Sequence, residues 1–140
     1  MIVSAQPRPI GHPGYSETLP ALEESADAAR KLVRTALAAW HLDELTDSGV
    51  LLVTELVANA IKHTNTRSIR VVVSRPSEQF VRIGVVDRTR ALPQMVQPND
   101  DLLTNGRGLL LIDALAERWG TDVYRWGKQV WAELVSEPTV

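Results

Sequence analysis

The most informative stretch of this sequence lies at residues 50–64 and reads VLLVTELVANAIKHT. It predicts a helix that begins near Asp43 to Asp47, whose carboxylates suit a helix N-terminus, and that ends at about His63. Most of its side chains are apolar, and six of them surround the polar positions on the helix surface, so we expect deep burial. These are Leu52, Val53, Leu56, Val57, Ala60 and Ile61.

Four polar residues interrupt this apolar helix and share one face. Glu55, Asn59, Lys62 and His63 lie at relative positions 0, 4, 7 and 8, and we call them the polar stripe. Members three or four positions apart lie about 5–6 Å from each other at Cβ, so a carboxylate, an amide and a cation can converge on one bound group. The alternative is that the charges are solvated and that Asn59 is a satisfied interior amide.

The sequence before this helix predicts one strand and one further helix. Residues 1–14 are rich in Pro and Gly, so we expect a flexible tail. A short strand is predicted at Tyr15 to Leu19. After Pro20, apolar residues recur at helical spacing up to Trp40 and predict an amphipathic helix.

The sequence after it predicts a hairpin, a long loop, a helix and two more strands. Val, Ile and other residues alternate at 69–73 and 81–85, with a turn at Pro76-Ser77-Glu78. Residues 88–105 show no period and predict a loop that could close over a ligand. The segment LLLIDALAERW at 109–119 predicts the third helix, and TDVYRW and KQVWAELV predict strands around Gly127. Because strands and helices do not alternate, a two-layer α/β sandwich is favoured over a doubly wound parallel sheet.

Composition narrows the function classes. The chain has 140 residues, a formal net charge of −2 and no cysteine. One domain of ordinary globular composition is expected, at residues 15–135, with a C-terminal tail at 136–140. Non-specific nucleic acid binding is disfavoured, and disulfides, thiolate metal sites and a cysteine nucleophile are excluded. No signal peptide or membrane span is visible, so we expect a cytoplasmic protein.

Two further segments could contact a ligand. Asp87 ends a predicted strand beside the long loop, a common place for ligand contacts, although it could equally be a turn residue. Gly106 and Gly108 precede a helix whose N–H groups suit phosphate oxygens, although such glycines are often only conformational. The sequence has no Walker A, G-x-G-x-x-G, G-x-S-x-G or H-E-x-x-H motif.

Three segments, taken in order, are ELVANAIKH at 55–63, VVD at 85–87 and GRGL at 106–109. Together they resemble the motifs of histidine-kinase-like (Bergerat) ATPases. The resemblance covers roughly residues 15–135, and the later part resembles small proteins related to anti-sigma-factor serine kinases. It implies a two-layer sandwich with a mixed sheet and three main helices on one face.

The resemblance also implies roles for individual residues. Asn59 is expected to coordinate the Mg²⁺ that bridges ATP phosphates, and Glu55 to act as general base. Asp87 is expected to bind the adenine amino group. The residues expected at the phosphates are Lys62, His63, Gly106, Arg107, Gly108 and Leu109.

The sequence departs from this family on the adenine side. Where D-x-G-x-G is expected, residues 87–91 read DRTRA, so both glycines are replaced. Lys128 follows Gly127 where a threonine often helps to hold adenine. We therefore expect weaker adenine contacts beside intact phosphate contacts.

A chain of this length leaves no room for a dimerisation segment with a phosphoacceptor histidine, so a sensor histidine kinase is not expected. The resemblance implies an ATP- and Mg²⁺-dependent regulator that acts in trans as a serine/threonine kinase. Expected partners are a sigma factor, an antagonist of an anti-sigma factor, or both, with a homodimer left open. The alternative is a non-catalytic module that sequesters a sigma factor or other partner, with nucleotide structural or absent.

Overall fold

The computed structural model describes residues 14–63, 66–88 and 107–136. Most of the two expected tails, most of the expected loop at 88–105, and Gly106 lie outside the described residues. In chain order the elements are β1 (Tyr15–Pro20), α1 (Ser25–Ala39), a 3₁₀ turn (Asp43–Leu45), α2 (Thr46–His63), β2 (Ser68–Ser77), β3 (Phe80–Asp87), α3 (Arg107–Leu115), β4 (Arg118–Val123) and β5 (Lys128–Val135).

The five strands form one sheet in the order β1-β2-β3-β5-β4. All four pairings between described strands are antiparallel, so the expectation of a mixed sheet was wrong. The reason is the position of β5. The strands β3 and β4 run in the same direction, but β5 lies between them and is antiparallel to both.

The predicted two-layer α/β sandwich is confirmed. Apolar side chains of α1, α2 and α3 form one buried core with the alternating residues of β2, β3 and β5. Gly49 permits the close approach of α2 to α1, since a Cβ there would lie 3.0 Å from Val33 Cγ1 and 3.2 Å from Leu37 Cδ1. No helix in the described ranges is both long and apolar enough to cross a membrane.

The third helix is shorter than the sequence predicts. It ends at Leu115, and β4 begins at Arg118 rather than at Thr121. Trp119, expected in the helix, pairs with Ala132 of β5 and donates from its indole N–H to Asp113 Oδ1 at 2.9 Å. The position of Trp119 in the sequence fits the apolar spacing of a helix and also the alternation of a strand. Its pairing with β5 makes it a strand residue.

The face of the sheet away from the helices carries a charged network. Glu133 has no solvent exposure and accepts hydrogen bonds from Arg82, at 2.7 Å from Nε, and from Arg118 Nε. The Arg82 guanidinium also lies 4.2 Å from the centre of the Trp131 ring. Burial is the main cause of the raised pKa of Tyr124, whose phenol donates a hydrogen bond to Gln129 Oε1 at 3.2 Å. These paired charges explain how a carboxylate can be buried in the sheet.

Candidate functional site

The helix α2 places the polar stripe at the boundary of the core. Glu55 and Asn59 are half-buried and Lys62 is exposed, while Leu56 and Val57 between them are buried. A side chain that is neither closed into the core nor fully solvated is available to a bound group. The side chain of His63, which the sequence places on the same stripe, lies outside the described residues.

The connections place the end of α2 at one edge of the sheet. After α2 ends at His63, the chain enters β2 at Ser68, and the start of β2 pairs with the end of β3 through Arg70 and Val86. The start of β5 lies at the same edge, since Lys128 is the register partner of Asp87. We call this edge, with the end of α2 above it, the site edge.

Asp87 and Lys128 form a buried ion pair at the site edge. Lys128 Nζ lies 3.1 Å from Asp87 Oδ1, and the two side chains are only 3% and 1% exposed, respectively. Both residues continue the alternation of the core residues Val85 and Val130, so both side chains are on the helix face of the sheet. The carboxylate predicted to contact a base is therefore held beside a cation.

The turn before β5 fixes the position of this pair. A Cβ on Gly127 would lie 2.1 Å from the Asp87 carbonyl oxygen and 2.9 Å from Arg88 Cα. Only a residue without a side chain allows the turn to approach the end of β3 so closely. Gly127 thus keeps Lys128 in register with Asp87.

Sequence reasoning missed the pairing of Lys128 with Asp87. It treated Lys128 only as the replacement of an expected threonine, because the adjacency of β3 and β5 had not been predicted. The available signal was a pair of opposite charges at the end of one strand and the start of another. Such a signal becomes specific only when the strand order is known.

The N-terminus of α3 is the predicted phosphate contact. The backbone is helical from Arg107, but the side chain of Arg107 is not among those described, and all of Gly106 lies outside the described residues. Leu109 is 1% exposed and its side chain packs in the core, so only its backbone could contact a phosphate. Since a link of two residues joins α3 to β4, the helix folds back along β4 and its first turn lies towards the site edge.

The donor set at the site edge suits magnesium only in combination with a ligand. The described residues contain no cluster of three or more His, Cys, Asp or Glu side chains that could hold a metal. Mg²⁺ commonly takes one or two protein oxygens, with phosphate oxygens and waters completing its shell. Asn59 and Glu55 supply an amide and a carboxylate oxygen on adjacent turns of α2, and these fit that arrangement.

Residues 19–133 match the family described as Histidine kinase-like ATPase domain. No curated protein gives a significant match.

Among solved structures, the chain is similar to the RsbU and RsbW domains of Rv1364c from Mycobacterium tuberculosis, with a TM-score of 0.63 and 21% sequence identity. The match covers 92% of this chain and 34% of that one. At this identity the likeness shows a shared fold. Because the family match extends from β1 to β5 and includes the whole site edge, this chain belongs to the histidine kinase-like ATPase domain family.

Proposed function

We propose that this chain binds Mg-ATP and regulates a partner protein by phosphorylating one of its serine or threonine hydroxyls. The observation that carries the proposal is that Glu55 and Asn59 are half-buried on one face of α2, the helix whose end leads to the edge where Asp87 ends β3. The family supports ATP as the ligand. The resemblance of the later part of the sequence to proteins related to anti-sigma-factor serine kinases supports a sigma factor, or an antagonist of an anti-sigma factor, as partner. The structural neighbour, which includes an RsbW domain, shares the fold.

Each site residue has a chemical role in this proposal. Asn59 would hold Mg²⁺, which supplies neutralisation of the phosphate charges when bound. Asp87 accepts a hydrogen bond from the adenine amino group, while Lys62 and His63 and the backbone at the start of α3 contact phosphates.

Phosphate transfer requires a base near the attacking hydroxyl. The hydroxyl oxygen forms a bond to the γ-phosphorus as the bond from that phosphorus to the β–γ bridging oxygen breaks, and ADP leaves. Glu55 accepts the hydroxyl proton. Positioning and charge neutralisation dominate such reactions, so the protein needs few other reactive groups.

Calorimetry with Mg-ATP tests the binding half of the proposal. We expect wild type to bind, and Asn59→Ala to lose the part of the affinity that EDTA removes from wild type. Gln79→Ala is the matched control, because Gln79 is an exposed amide in the β2–β3 turn at the opposite edge of the sheet. The site assignment is wrong if wild type gives no heat at millimolar Mg-ATP, or if Asn59→Ala keeps its full response to EDTA.

Radiolabel transfer to a co-purified partner tests the catalytic half. A general base contributes roughly 10²–10⁴-fold in rate, so Glu55→Gln should label the partner that much more slowly at equal nucleotide occupancy. Glu78→Gln, an exposed carboxylate in the distant turn, should label at the wild-type rate. Equal rates for Glu55→Gln and wild type would assign the base to another residue.

One observation favours the non-catalytic alternative, in which the chain sequesters its partner without phosphate transfer. Asp87 has its charge balanced by Lys128 within the protein, so a form without nucleotide leaves no uncompensated buried charge there. Under this alternative the partner co-purifies and stays bound, but wild type transfers no label from ATP to it.

A further inference from the structure

A pocket of about 210 Å³ opens at the site edge, on the face of the sheet away from the helices. Thr18 and Val86 are the register partners of Arg70 on its two sides, so the three side chains form one row across β1, β2 and β3. Alternation places this row on the face opposite to the core residues Ile69 and Val85. The pocket is therefore separate from the proposed nucleotide site, which lies on the helix face.

Two arginines, Arg70 and Arg88, give this pocket its charge, and we call it the arginine pocket. Arg70 is half-buried, and among the described residues the acceptor of its guanidinium is Ser16 Oγ, 2.8 Å from Nη2. Arg88 is exposed, and neither arginine has a carboxylate partner within the described part of the chain. The carboxylate among the described lining residues is that of Asp87, which points to the helix face and is paired with Lys128. The pocket thus holds two positive charges that the described residues leave uncompensated.

The rest of the lining suits an anion that is attached to carbon atoms. Thr18 and Ser68 bring hydroxyl groups to the pocket, and a hydroxyl can donate to an anionic oxygen. Trp126 is 38% exposed, and its ring centre lies 6.0 Å from the Arg88 guanidinium, so the indole forms an apolar wall beside the charge. A single water needs only about 10–15 Å³, so a pocket of about 210 Å³ has room for a much larger group.

We propose that the arginine pocket binds a phosphate monoester. Near neutral pH this group carries almost two negative charges and three acceptor oxygens, which suit two guanidinium forks. A dianion compensates both arginines, whereas a carboxylate compensates only one of them. The same group occurs in a phosphorylated serine of a protein and in small metabolites, and the experiment separates these two sources. The inference is independent of the proposed function, because the two sites lie on opposite faces of the sheet.

Calorimetry with small phosphate esters tests this site in the full chain. The probes are N-acetyl-O-phosphoserine amide, which represents a phosphorylated protein, and glycerol 3-phosphate, which represents a metabolite. We expect wild type to bind at least one of them, and the tighter of the two identifies the source. N-acetyl-glutamate amide, a carboxylate of similar size, should bind roughly tenfold more weakly or not at all. Equal binding of this carboxylate, or no binding of either phosphate ester at millimolar concentration, overturns the inference.

Variants of the two arginines locate the binding. Arg88→Gln and Arg70→Gln should each bind the tighter ester roughly tenfold more weakly, because each loses a charge-assisted hydrogen bond. Arg88 is exposed, so its variant decides the matter if Arg70→Gln does not fold. The matched controls are Arg34→Gln, an exposed arginine of α1, and Asn59→Ala at the nucleotide site, and both should bind the ester like wild type. Wild-type affinity in Arg88→Gln overturns the inference and leaves the proposed function standing. Ester binding that Asn59→Ala removes places the ester at the nucleotide site and also overturns the inference.

Discussion

Replacing Lys128 with methionine should destabilise the protein strongly, because it leaves the Asp87 carboxylate buried without its cation. Opposite unit charges 3.1 Å apart attract by roughly 5 kcal/mol at an effective dielectric constant of about 20. Desolvation costs several kcal/mol for each ion, so the intact pair is close to neutral for stability. Removing one partner loses the attraction and keeps the desolvation cost of the other. We expect Lys128→Met to lower the free energy of unfolding by about 3–5 kcal/mol.

Urea unfolding monitored by tryptophan fluorescence measures this loss. The double variant Asp87→Asn/Lys128→Met removes both charges, so it should be more stable than Lys128→Met alone. Lys31→Met, on the exposed face of α1, controls for loss of one surface cation and should change stability by less than about 0.5 kcal/mol. The reasoning is refuted if Lys128→Met unfolds at the wild-type urea concentration, or if the double variant is less stable than Lys128→Met.

Two further substitutions test the packing that supports the site and the sheet. Gly127→Ala places a Cβ against the backbone of Asp87, so we expect a loss of about 1–3 kcal/mol in urea unfolding, and a loss below about 0.5 kcal/mol would show that the turn can move away freely. Glu133→Gln leaves two arginines facing each other without their carboxylate, and we expect a loss of roughly 1–3 kcal/mol together with a change in Trp131 fluorescence as Arg82 moves. Unchanged stability and an unchanged emission spectrum for Glu133→Gln would contradict this account of the charged network on the sheet face away from the helices.

Much of the fold could be predicted because helices and strands leave local patterns of apolar residues in the sequence. The helical spacing of apolar residues before Trp40 and around Glu55 predicted α1 and α2, and alternation predicted the β2–β3 hairpin. Helical spacing alone also placed Glu55 and Asn59 on one face of α2. Asp87 at the end of β3 followed from the length of its strand.

Strand order and burial of charge are properties of the tertiary structure alone. The insertion of β5 between β3 and β4 made the sheet antiparallel, and it brought Lys128 against Asp87 across 41 residues of chain. It also ended α3 early, because Trp119 pairs in the sheet, and it surrounded Glu133 with two arginines. Periodicity reports which side of an element is apolar, but it carries no information about which strand lies alongside. For this reason the sequence by itself determined α1, α2 and the polar stripe, whereas the end of α3 and the cation beside Asp87 were decided only when the strands were assembled.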